Sequence, residues 1–344
     1  MSPITIALDA MGGDIGPSVV VPAALQVLAQ QRDLTIILVG DKDVLTAQLK
    51  SLGAQENDNL KIHHASQQVA MDESPALALR NKKDSSMRVA IELVRDGTAK
   101  ACVSAGNTGA FMATSRFVLK TLPGIDRPAL VARLPTITGH RVRVLDLGAN
   151  VDSKPEHLLQ FAIMGSVLTT ASENIQRPRL GLLNIGEEEI KGNDLVKQTA
   201  KLLQDCDALN YIGFVEGDAI YQGATDIVIC DGFVGNVMLK ASEGLASLLK
   251  HYIKETFHQN IFYKCLGYLM SPLLKASLKH IDPARYNGAS FLGLQGIVIK
   301  SHGSAGVLSF ANAIQEAILE VNKDVPRLIR TQVEQLLTVE RNSA

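Results

Sequence analysis

Short apolar runs alternate with longer amphipathic stretches along the chain. Continuous apolar runs, with no polar residue at every second position, are typical of strands that helices cover on both faces. The pattern therefore predicts an α/β fold with a largely parallel sheet. The predicted strands are Ile4–Asp9, Leu34–Gly40, Leu60–His63, Ala101–Val103, Ala129–Leu134, Val142–Leu147, Leu180–Ile185, Tyr211–Val215, Ile227–Cys230 and Ile297–Lys300. The predicted helices include Pro17–Gln31, Asp41–Leu52, Ser86–Arg95 and Gly109–Leu119.

A run of small residues, Ser104-Ala105-Gly106-Asn107-Thr108-Gly109, joins the predicted strand Ala101–Val103 to the predicted helix Gly109–Leu119. Glycine lets a backbone approach a ligand closely, because it has no Cβ. A helix that begins at such a turn directs unpaired N–H groups and the positive end of its dipole outward, which suits an anion. A tight strand-to-helix connection without a ligand explains this turn equally well.

Glycine, aspartate and asparagine also follow many of the other predicted strands. In open α/β sheets, ligands bind beyond the carboxyl ends of the strands, so these endings together predict one polar, glycine-lined cleft at one edge of the sheet. A single ending of this kind is ordinary turn chemistry. The endings are Asp9–Asp14, Gly40–Asp41, Ser104–Gly109, Leu145–Asn150, Asn184–Glu188, Glu216–Asp218, Cys230–Asn236 and Lys300–Gly303.

The composition limits the class of protein further. The 344 residues are 46% hydrophobic and contain no repeat or linker-like tract, so we expect one two-lobed α/β unit over residues 1–344. The net charge of −1 argues against a general nucleic-acid binder. No apolar run has the length of a membrane span, and no signal peptide is recognisable. The four cysteines form no CxxC pair, and Cys102 and Cys230 are predicted to be buried thiols of a cytoplasmic protein.

Several motifs, taken in order along nearly the whole chain, resemble those of the bacterial phosphate acyltransferase (PlsX) family. They are Leu8–Asp14, Ser104–Gly109, Leu145–Asn150, Asn184–Glu188 with Lys191-Gly192, Asp231–Asn236 and Ser301–Gly303. The sequence contains no GxGxxG, GxxxxGK[ST], GxSxG or HExxH motif that would indicate another family. The resemblance implies transfer of an acyl group from acyl carrier protein to inorganic phosphate. It also implies a homodimer and a three-layer, Rossmann-like fold of the isocitrate/isopropylmalate dehydrogenase type, and its acyl phosphate product would feed a membrane glycerol-3-phosphate acyltransferase.

The implied reaction needs no covalent nucleophile from the protein, because phosphate itself attacks the thioester carbonyl. The protein must hold the anion, place the thioester and stabilise the oxyanion. We expect backbone N–H groups of the turn 106–109 to hold phosphate. The expected substrate-binding residues are Asp9, Gly12, Gly13, Asp14, Ser104, Gly106, Asn107, Thr108, Gly109, Asp146, Asn150, Glu187, Asp231 and Gly232.

Four residues are candidates for catalysis. Lys191 would supply positive charge, although beside three acids it also fits a solvated helix start. Asn184 and Asn236 would donate to the oxyanion, or else cap helices. His302 would move a proton, although a lone histidine in a turn is more often structural. The aspartates would orient these donors or bind a divalent metal; because the reaction requires none, no metal and no cofactor are expected.

Residues 248–285 differ in kind from the rest, because they combine aromatic, leucine and lysine residues. They predict a protruding amphipathic helical segment, which would lie on a membrane surface, form a dimer interface or belong to the core. The acidic carrier protein would dock on a basic cluster. The two candidate clusters are Arg80, Lys82, Lys83 and Arg88, and Arg127, Arg133, Arg141 and Arg143.

Three other functions remain open at this point. A phosphotransacetylase-like enzyme would use coenzyme A thioesters. A decarboxylating 2-hydroxy-acid dehydrogenase of the same fold would use a nicotinamide cofactor. A scaffold without catalytic activity would bind lipid through residues 248–285, but would leave the glycine-lined strand ends unexplained.

Overall fold

A computed structural model describes residues 4–31, 33–278 and 286–343. The last seven residues of the predicted segment 248–285, residues 279–285, lie outside this part. The strands are β1 Ile4–Asp9, β2 Leu34–Gly40, β3 Leu60–His64, β4 Ala101–Ser104, β5 Ala129–Pro135, β6 Arg141–Leu145, β7 Arg179–Leu183, β8 Asn210–Val215, β9 Ile227–Ile229, β10 Ala289–Leu292 and β11 Ile297–Lys300. The α-helices are α1 Pro17–Leu28, α2 Lys42–Ser51, α3 Pro75–Asn81, α4 Ser86–Arg95, α5 Thr108–Leu119, α6 Pro155–Glu173, α7 Asp194–Gln204, α8 Gly232–His258, α9 Ile261–Leu278, α10 Val307–Lys323 and α11 Val325–Ser343.

All of these strands belong to one sheet in the order β3-β2-β1-β4-β11-β10-β5-β6-β9-β7-β8. Seven neighbouring pairs are parallel. The three antiparallel pairs, β11–β10, β10–β5 and β5–β6, are adjacent in the middle of the sheet. The prediction of an α/β fold with a largely parallel sheet is therefore confirmed.

Helices cover both faces of this sheet, which makes three layers. In β1, Ala7 packs into a core shared with α4, α5 and the start of α8, whereas Ile6 and Leu8 pack on the opposite face against α1 and α10. A further core on that opposite face joins α6 and α11 to β6, β7 and β9. Burial on both faces explains why the strands read as continuous apolar runs. The predicted burial of Cys102 and Cys230 is also confirmed.

The antiparallel pairs in the middle of the sheet reverse the direction of its second half. As a result β6, β7 and β9 run opposite to β1, β4 and β11. We call the edge at the carboxyl ends of β1, β4 and β11 the first edge, and the edge at the carboxyl ends of β6, β7 and β9 the second edge. The prediction that all polar strand endings lie at one edge is therefore wrong.

Two predicted strands end earlier than expected, for the same physical reason. β6 ends at Leu145 and β7 at Leu183, each two residues before the predicted end. The next residues, Asp146 and Asn184, turn their side chains to backbone groups of their own loops. A side chain that pairs with local backbone competes with the strand ladder.

Helix α8 begins on the sheet and continues well past it. It has 27 residues, which corresponds to roughly 40 Å. Met238 and Leu239 pack against the core, whereas no residue of 244–273 is buried. Helix α9 packs against α8, so the two form a largely exposed helical pair. Among the described residues, no helix combines the length and apolar character needed to cross a bilayer.

Candidate active site

The first edge gathers most of the predicted phosphate-binding residues around the buried carboxylate of Asp9. Asp9 accepts hydrogen bonds from the N–H of Gly12 at 3.1 Å and from the hydroxyl of Ser104 at 2.6 Å. The hydroxyl oxygen of Ser104 in turn accepts from the N–H of Gly106 at 3.0 Å. Burial raises the pKa of Asp9, and the hydrogen bond from Ser104 opposes this shift. These bonds fix the turns that follow β1 and β4 relative to each other.

Glycines in these turns allow the two loops to pack closely. A Cβ on Gly12 would lie 2.9 Å from the backbone nitrogen of Gly106 and would clash with the Asp9 carboxylate. Gly13 has a φ of +92°, and a Cβ there would lie 3.0 Å from the carbonyl oxygen of Gly303. The N–H of Asp14 donates to that same carbonyl at 2.9 Å. The loop after β11 therefore belongs to the same group.

Asn107 caps helix α5 and orders the loop above it. Its side-chain oxygen accepts from the N–H of Ala110 at 2.9 Å, and its amide donates to the carbonyls of Met71 and Glu73 at 2.7 and 3.1 Å. Its side chain is thus fully used within the protein. The N–H groups of Thr108 and Gly109 have no acceptor among the described residues, so the start of α5 keeps free donors for an anion.

Lys300, the last residue of β11, is a buried cation that the sequence analysis did not select. Its ammonium donates to the carbonyl of Ala105 at 3.3 Å and to that of Ser301. Burial lowers its pKa to about 8, while the charges of Asp9 and Asp14 oppose the shift. The available signal in the sequence was its position: Lys300 ends an apolar run and is followed by polar loop residues.

His302 follows this lysine at the surface of the first edge. Its backbone N–H donates to the side-chain oxygen of Asn287 at 2.9 Å. Its ring nitrogen Nδ1 lies 2.9 Å from the hydroxyl of Ser304 and accepts from the N–H of the same residue at 3.3 Å. The ring is thus held at the rim of the first edge. The predicted residues at this edge are Asp9, Gly12, Gly13, Asp14, Ser104, Gly106, Asn107, Thr108, Gly109 and His302.

A second group of predicted residues lies at the second edge, around the buried carboxylate of Asp146. This carboxylate accepts from the N–H groups of Leu130 and Ala149 at 2.9 and 3.0 Å, and from both nitrogens of Asn150 at 2.7 and 2.9 Å. Burial raises the pKa of Asp146, and these donors oppose the shift. The amide of Asn150 also donates to the carbonyl of Pro128 at 2.7 Å. Both side chains are therefore committed to holding the loop.

Helix α8 begins directly against this loop. Asp231 caps it by accepting from the N–H groups of Phe233 and Val234, both at 3.0 Å. A Cβ on Gly232 would lie 2.8 Å from the Asp146 carboxylate, so only glycine fits there. Asn236, one turn further, is exposed and faces Gly148, whose added Cβ would lie 3.3 Å from its own.

The remaining predicted residues, Asn184, Glu187 and Lys191, lie in the loop after β7. Asn184 is nearly buried, and its amide donates to the carbonyl of Gly186 at 3.0 Å. Glu187 is exposed. Lys191 is half exposed, and its ammonium lies 3.8 Å from the Glu188 carboxylate. Weak surface pairs of this kind leave the lysine free to meet another anion.

Helix α8 connects the second edge to the first. Lys240 lies nine residues beyond the cap Asp231, which is about 14 Å along the helix. Its charge lowers the pKa of Lys300, so it lies near the first edge. Asn236 and Lys240 are four residues apart and exposed, and hence share one face of α8. That face of α8 therefore extends from the residues at the second edge toward the residues at the first edge.

One of the two predicted docking clusters does not exist as an exposed patch. Arg143 is fully buried and paired with Glu173, and Arg133 is paired with the buried Glu316. The interpretation of Arg127, Arg133, Arg141 and Arg143 as a docking cluster is therefore wrong. In the other cluster, Arg80 and Lys83 are exposed at the end of α3. Arg88 of α4 donates to the carbonyl of Leu79, which joins the two helices.

Metal binding was an alternative role for the aspartates. Within the described part of the chain, no group of three or more His, Cys, Asp or Glu side chains is arranged to hold a metal ion. The clusters around Asp9 and Asp146 instead satisfy their carboxylates with backbone N–H and hydroxyl donors.

Solved structures with this fold include phosphotransacetylases. A phosphotransacetylase from Streptococcus pyogenes superposes with a TM-score of 0.58 at 18% identity and covers 94% of each chain. The EutD phosphotransacetylase from Staphylococcus aureus superposes with a TM-score of 0.56 at 17% identity, covering 91% of this chain and 94% of its own. At this level of identity the likeness concerns the fold alone.

Sequence relatives are much more similar. A phosphate acyltransferase from Legionella pneumophila (strain Paris) is 58% identical over 333 residues, which is 97% of each chain. Phosphate acyltransferases from Nitrosococcus oceani and Coxiella burnetii are 57% and 56% identical over 335 and 334 residues, again 97% of this chain and 98% and 97% of theirs. A family model described as fatty acid synthesis protein matches residues 4–328. The chain therefore belongs to the fatty acid synthesis protein family, together with these phosphate acyltransferases.

Proposed function

We propose that this chain transfers the acyl group of an acyl carrier protein thioester to inorganic phosphate, giving an acyl phosphate and free carrier protein. Relatives 56–58% identical over nearly the full length are named phosphate acyltransferase. One structural observation carries the assignment of the site. Free N–H groups at the start of α5 lie in a turn that Asp9 and Ser104 hold rigid, and the ammonium of Lys300 contacts the same turn.

Phosphate binding is the first task of this site. The N–H groups of Thr108 and Gly109 and the positive end of α5 hold the phosphate oxygens. Lys300 supplies the compensating charge from below the turn. Because Gly12, Gly13 and Gly106 carry no Cβ, the loops after β1, β4 and β11 pack closely and hold the turn before α5 in place. Asp9 and Asp14 position the loops and are not in contact with the anion, since carboxylates would repel it.

The chemical step joins a phosphate oxygen to the thioester carbonyl carbon. The C–S bond then breaks, the carbonyl is restored, and the proton of the hydrogen phosphate passes to the departing thiolate. His302, at the rim of the first edge, is the proposed carrier of that proton. Asn236 on α8 is the proposed donor to the oxyanion, and Lys240 on the same helix face adds positive charge.

The other predicted residues have proposed roles in shaping the thioester side of the site. Asp146, Asn150, Asp231 and Gly232 fix the start of α8 and so the position of Asn236. Glu187, Asn184 and Lys191 lie in the loop after β7, and Lys191 is a further proposed cation beside Lys300 and Lys240. We propose that both halves of the sheet act as one two-lobed unit of residues 1–344, and that catalysis needs no metal and no cofactor.

Thiol release tests the proposed reaction directly. Purified protein is mixed with acyl carrier protein thioester, and free thiol is measured with and without phosphate. We expect release to depend on phosphate and to fall strongly in Lys191→Ala and Asn236→Ala, whereas Lys197→Ala, an exposed lysine on α7, serves as the control. Release without phosphate would refute the transfer. Unchanged rates in both site variants would refute the assignment of Lys191 and Asn236.

The acyl donor decides between the proposal and its nearest alternative. A phosphotransacetylase-like enzyme would use coenzyme A thioesters at least as well as carrier-protein thioesters. We expect the carrier-protein thioester to give the higher kcat/KM. A change in nicotinamide absorbance on adding a 2-hydroxy acid would instead support the dehydrogenase alternative.

The exposed helical pair suggests where the enzyme works. Large apolar side chains, including Leu248 and Tyr252 on α8 and Phe262, Tyr268 and Leu269 on α9, are about half or more exposed. We propose that the pair forms a homodimer contact and touches the membrane from the cytoplasm as a peripheral segment, so that the acyl phosphate reaches a membrane glycerol-3-phosphate acyltransferase.

Liposome flotation and sedimentation test these two roles separately. Leu269→Glu is expected to reduce flotation with anionic vesicles, and Lys201→Glu on α7 is a control away from the pair. Equal flotation of both variants and the wild type would refute the proposed membrane contact. A monomeric wild type in sedimentation would remove the dimer.

A further inference from the structure

We propose that the outer face of α5 and the adjoining ends of α3 and α4 form the surface on which the acidic carrier protein docks, with Phe117 at its centre. This inference rests on the proposed function for the identity of the partner. It names a surface that lies outside the residues assigned to the reaction.

Phe117 is an exposed aromatic ring held between two cations. Its exposed fraction is 52%. The Lys120 ammonium lies 4.8 Å from the centroid of the Phe117 ring, and the guanidinium carbon of Arg88 lies 5.7 Å from the same centroid. Exposed aromatic residues ringed by cations are typical anchors of protein interfaces, because the ring fills a partner's pocket while the cations meet its acids.

The backbone of Lys120 is strained in a way that favours a role for its side chain. Lys120 follows α5 with φ +64° and ψ +170°, a region that glycine adopts and other residues avoid. The conformation is enforced by the bond from its N–H to the carbonyl of Arg116 at 3.2 Å and by the bond that its carbonyl accepts from Gln295 at 3.1 Å. Glycine would fit this helix end without strain. A lysine there keeps a cation over Phe117.

The outward face of α5 leads from this surface toward the proposed phosphate site, and part of it is a groove. An open cavity of about 480 Å³ runs along α5. It is lined by Met112, Ala113, Arg116, Phe117, Lys120 and Thr121. Gly109, Met112 and Arg116 recur at helical spacing, so the outward face of α5 leads from the anion turn to Phe117. From Gly109 to Lys120 is about 16 Å along the helix. A thioester carried on the long arm of a carrier protein spans such a distance.

The charge of the surface complements an acidic partner. Arg116 and Lys120 are exposed on α5, and Arg80 and Lys83 are exposed at the neighbouring end of α3. Arg88, which lies between them, already has one acidic neighbour, because its Nε donates to Glu92 at 3.0 Å. An acidic protein surface steered by these cations would arrive with its thioester arm above the groove.

Charge reversal at Arg116 is the main test. Arg116 and Lys201 are exposed cations in the last turns of α5 and α7, so Arg116→Glu and Lys201→Glu disturb the two helix ends similarly. We expect Arg116→Glu to raise the Kd of fluorescently labelled holo carrier protein and the KM of its thioester about tenfold. Turnover of acyl-N-acetylcysteamine, which has no protein part, should stay within about twofold of wild type. Lys201→Glu should change none of these.

Lys120→Gly separates docking from stability. It relieves the strained backbone and removes the cation, so we expect carrier-protein binding to weaken while the melting temperature does not fall. Unchanged Kd values in Arg116→Glu and Lys120→Gly would overturn the proposal, as would equal losses with both thioesters. Loss of binding to anionic vesicles without a change in Kd would assign the surface to lipid instead.

The same measurements distinguish this inference from the proposed function. Carrier protein that binds wild type through these residues, without phosphate-dependent thiol release, would refute the function and leave the docking surface standing. Phosphate-dependent thiol release from the carrier-protein thioester that keeps its wild-type Kd and KM in Arg116→Glu and Lys120→Gly would refute the docking surface alone.

Discussion

The hydroxyl of Ser104 donates to the buried carboxylate of Asp9 at 2.6 Å, and this bond joins the ends of β4 and β1. The same hydroxyl accepts from the N–H of Gly106, so one side chain both satisfies a buried acid and sets the turn that precedes α5. A buried carboxylate that loses a donor is costly, because water does not replace it. The rigidity of the proposed phosphate turn therefore depends on this pair.

Ser104→Ala is expected to lower both stability and phosphate use. Asp9 loses its hydroxyl donor, so its pKa rises further and the free energy of unfolding falls by about 1–3 kcal/mol at neutral pH. The turn 104–109 loosens, so the KM for phosphate rises more than kcat falls. Urea unfolding and phosphate-dependent thiol release measure the two effects.

Ser115→Ala is the matched control for this prediction. The hydroxyl of Ser115 in α5 is buried and has no hydrogen-bond partner among the described residues. Its removal should leave stability unchanged or slightly higher, because an unpaired buried hydroxyl contributes no bond. Equal losses in Ser104→Ala and Ser115→Ala would show that buried serines matter here only through packing.

Lys300 predicts two opposite responses to alkaline pH. Burial lowers its pKa from 10.5 to about 8. Between these values the unfolded chain holds a proton that the folded chain lacks, so its contribution to the free energy of unfolding increases as pH rises through this window. Phosphate affinity should instead decline above pH 8, approaching about tenfold per pH unit, because the neutral amine no longer attracts the anion.

Lys300→Met removes both responses, since methionine keeps most of the length of the side chain without its charge. We expect its phosphate KM to be high and nearly independent of pH between 7 and 9.5, and its urea midpoint to lack the alkaline rise. Wild-type and variant pH profiles that run in parallel would contradict the assignment of Lys300 to the anion site.

How much of this architecture the sequence predicts is clear from particular residues. Ala7 packs on one face of the sheet, and Ile6 and Leu8 pack on the other. Strand β1 is therefore a continuous apolar run, and its position was predicted correctly. Strand direction leaves no such trace, because an apolar run is the same in either direction. The connection between the predicted strands Ala129–Leu134 and Val142–Leu147 was nevertheless informative: seven residues are too few for a parallel crossover.

The candidate site was predictable where backbone chemistry defines it. Glycines and other small residues predicted the turn before α5, and the structure adds that Asn107 caps the helix and that Ser104 joins the turn to Asp9. The hydrogen-bond partners of the buried side chains were not predictable, because those partners are distant in sequence. Asp146 bonds the N–H of Leu130, and Lys300 bonds the carbonyl of Ala105, 195 residues away. Burial of a lysine depends on such long-range packing, which a single sequence does not encode locally.

Glu320 predicts a response to pH opposite in sign to that of Lys300. This residue of α10 is buried, and both burial and the charge of Glu316 raise its pKa well above 4.5. Above pH 4.5 the folded chain therefore holds a proton that the unfolded chain has lost, so the contribution of Glu320 to stability decreases as pH rises.

Glu320→Gln isolates this contribution, because glutamine mimics the protonated acid and still accepts the bond from Ser290. We expect the variant to match wild type near pH 5 and to exceed it in free energy of unfolding, by about 1 kcal/mol or more, at pH 8.5. Urea titrations at both values measure the difference. A gap of the same size at both pH values would mean that the residue does not titrate as described.

The same substitution at two glycines of α8 should have opposite effects. A Cβ on Gly235 would clash with the carbonyl oxygen of Asp146, and α8 would have to move away from the loop that positions Asn236. Gly235→Ala is therefore expected to destabilise the fold by about 3 kcal/mol and to reduce thiol release.

Gly244 lies in the exposed part of the same helix, and a Cβ there would meet no atom within 4 Å. Gly244→Ala should increase helix stability by about 1 kcal/mol without loss of activity, since alanine favours a helix more than glycine does. Urea unfolding and phosphate-dependent thiol release compare the two variants. If Gly235→Ala were tolerated as well as Gly244→Ala, the start of α8 would not be fixed by its contact with the loop after β6, and Asn236 would have no defined place beside the thioester.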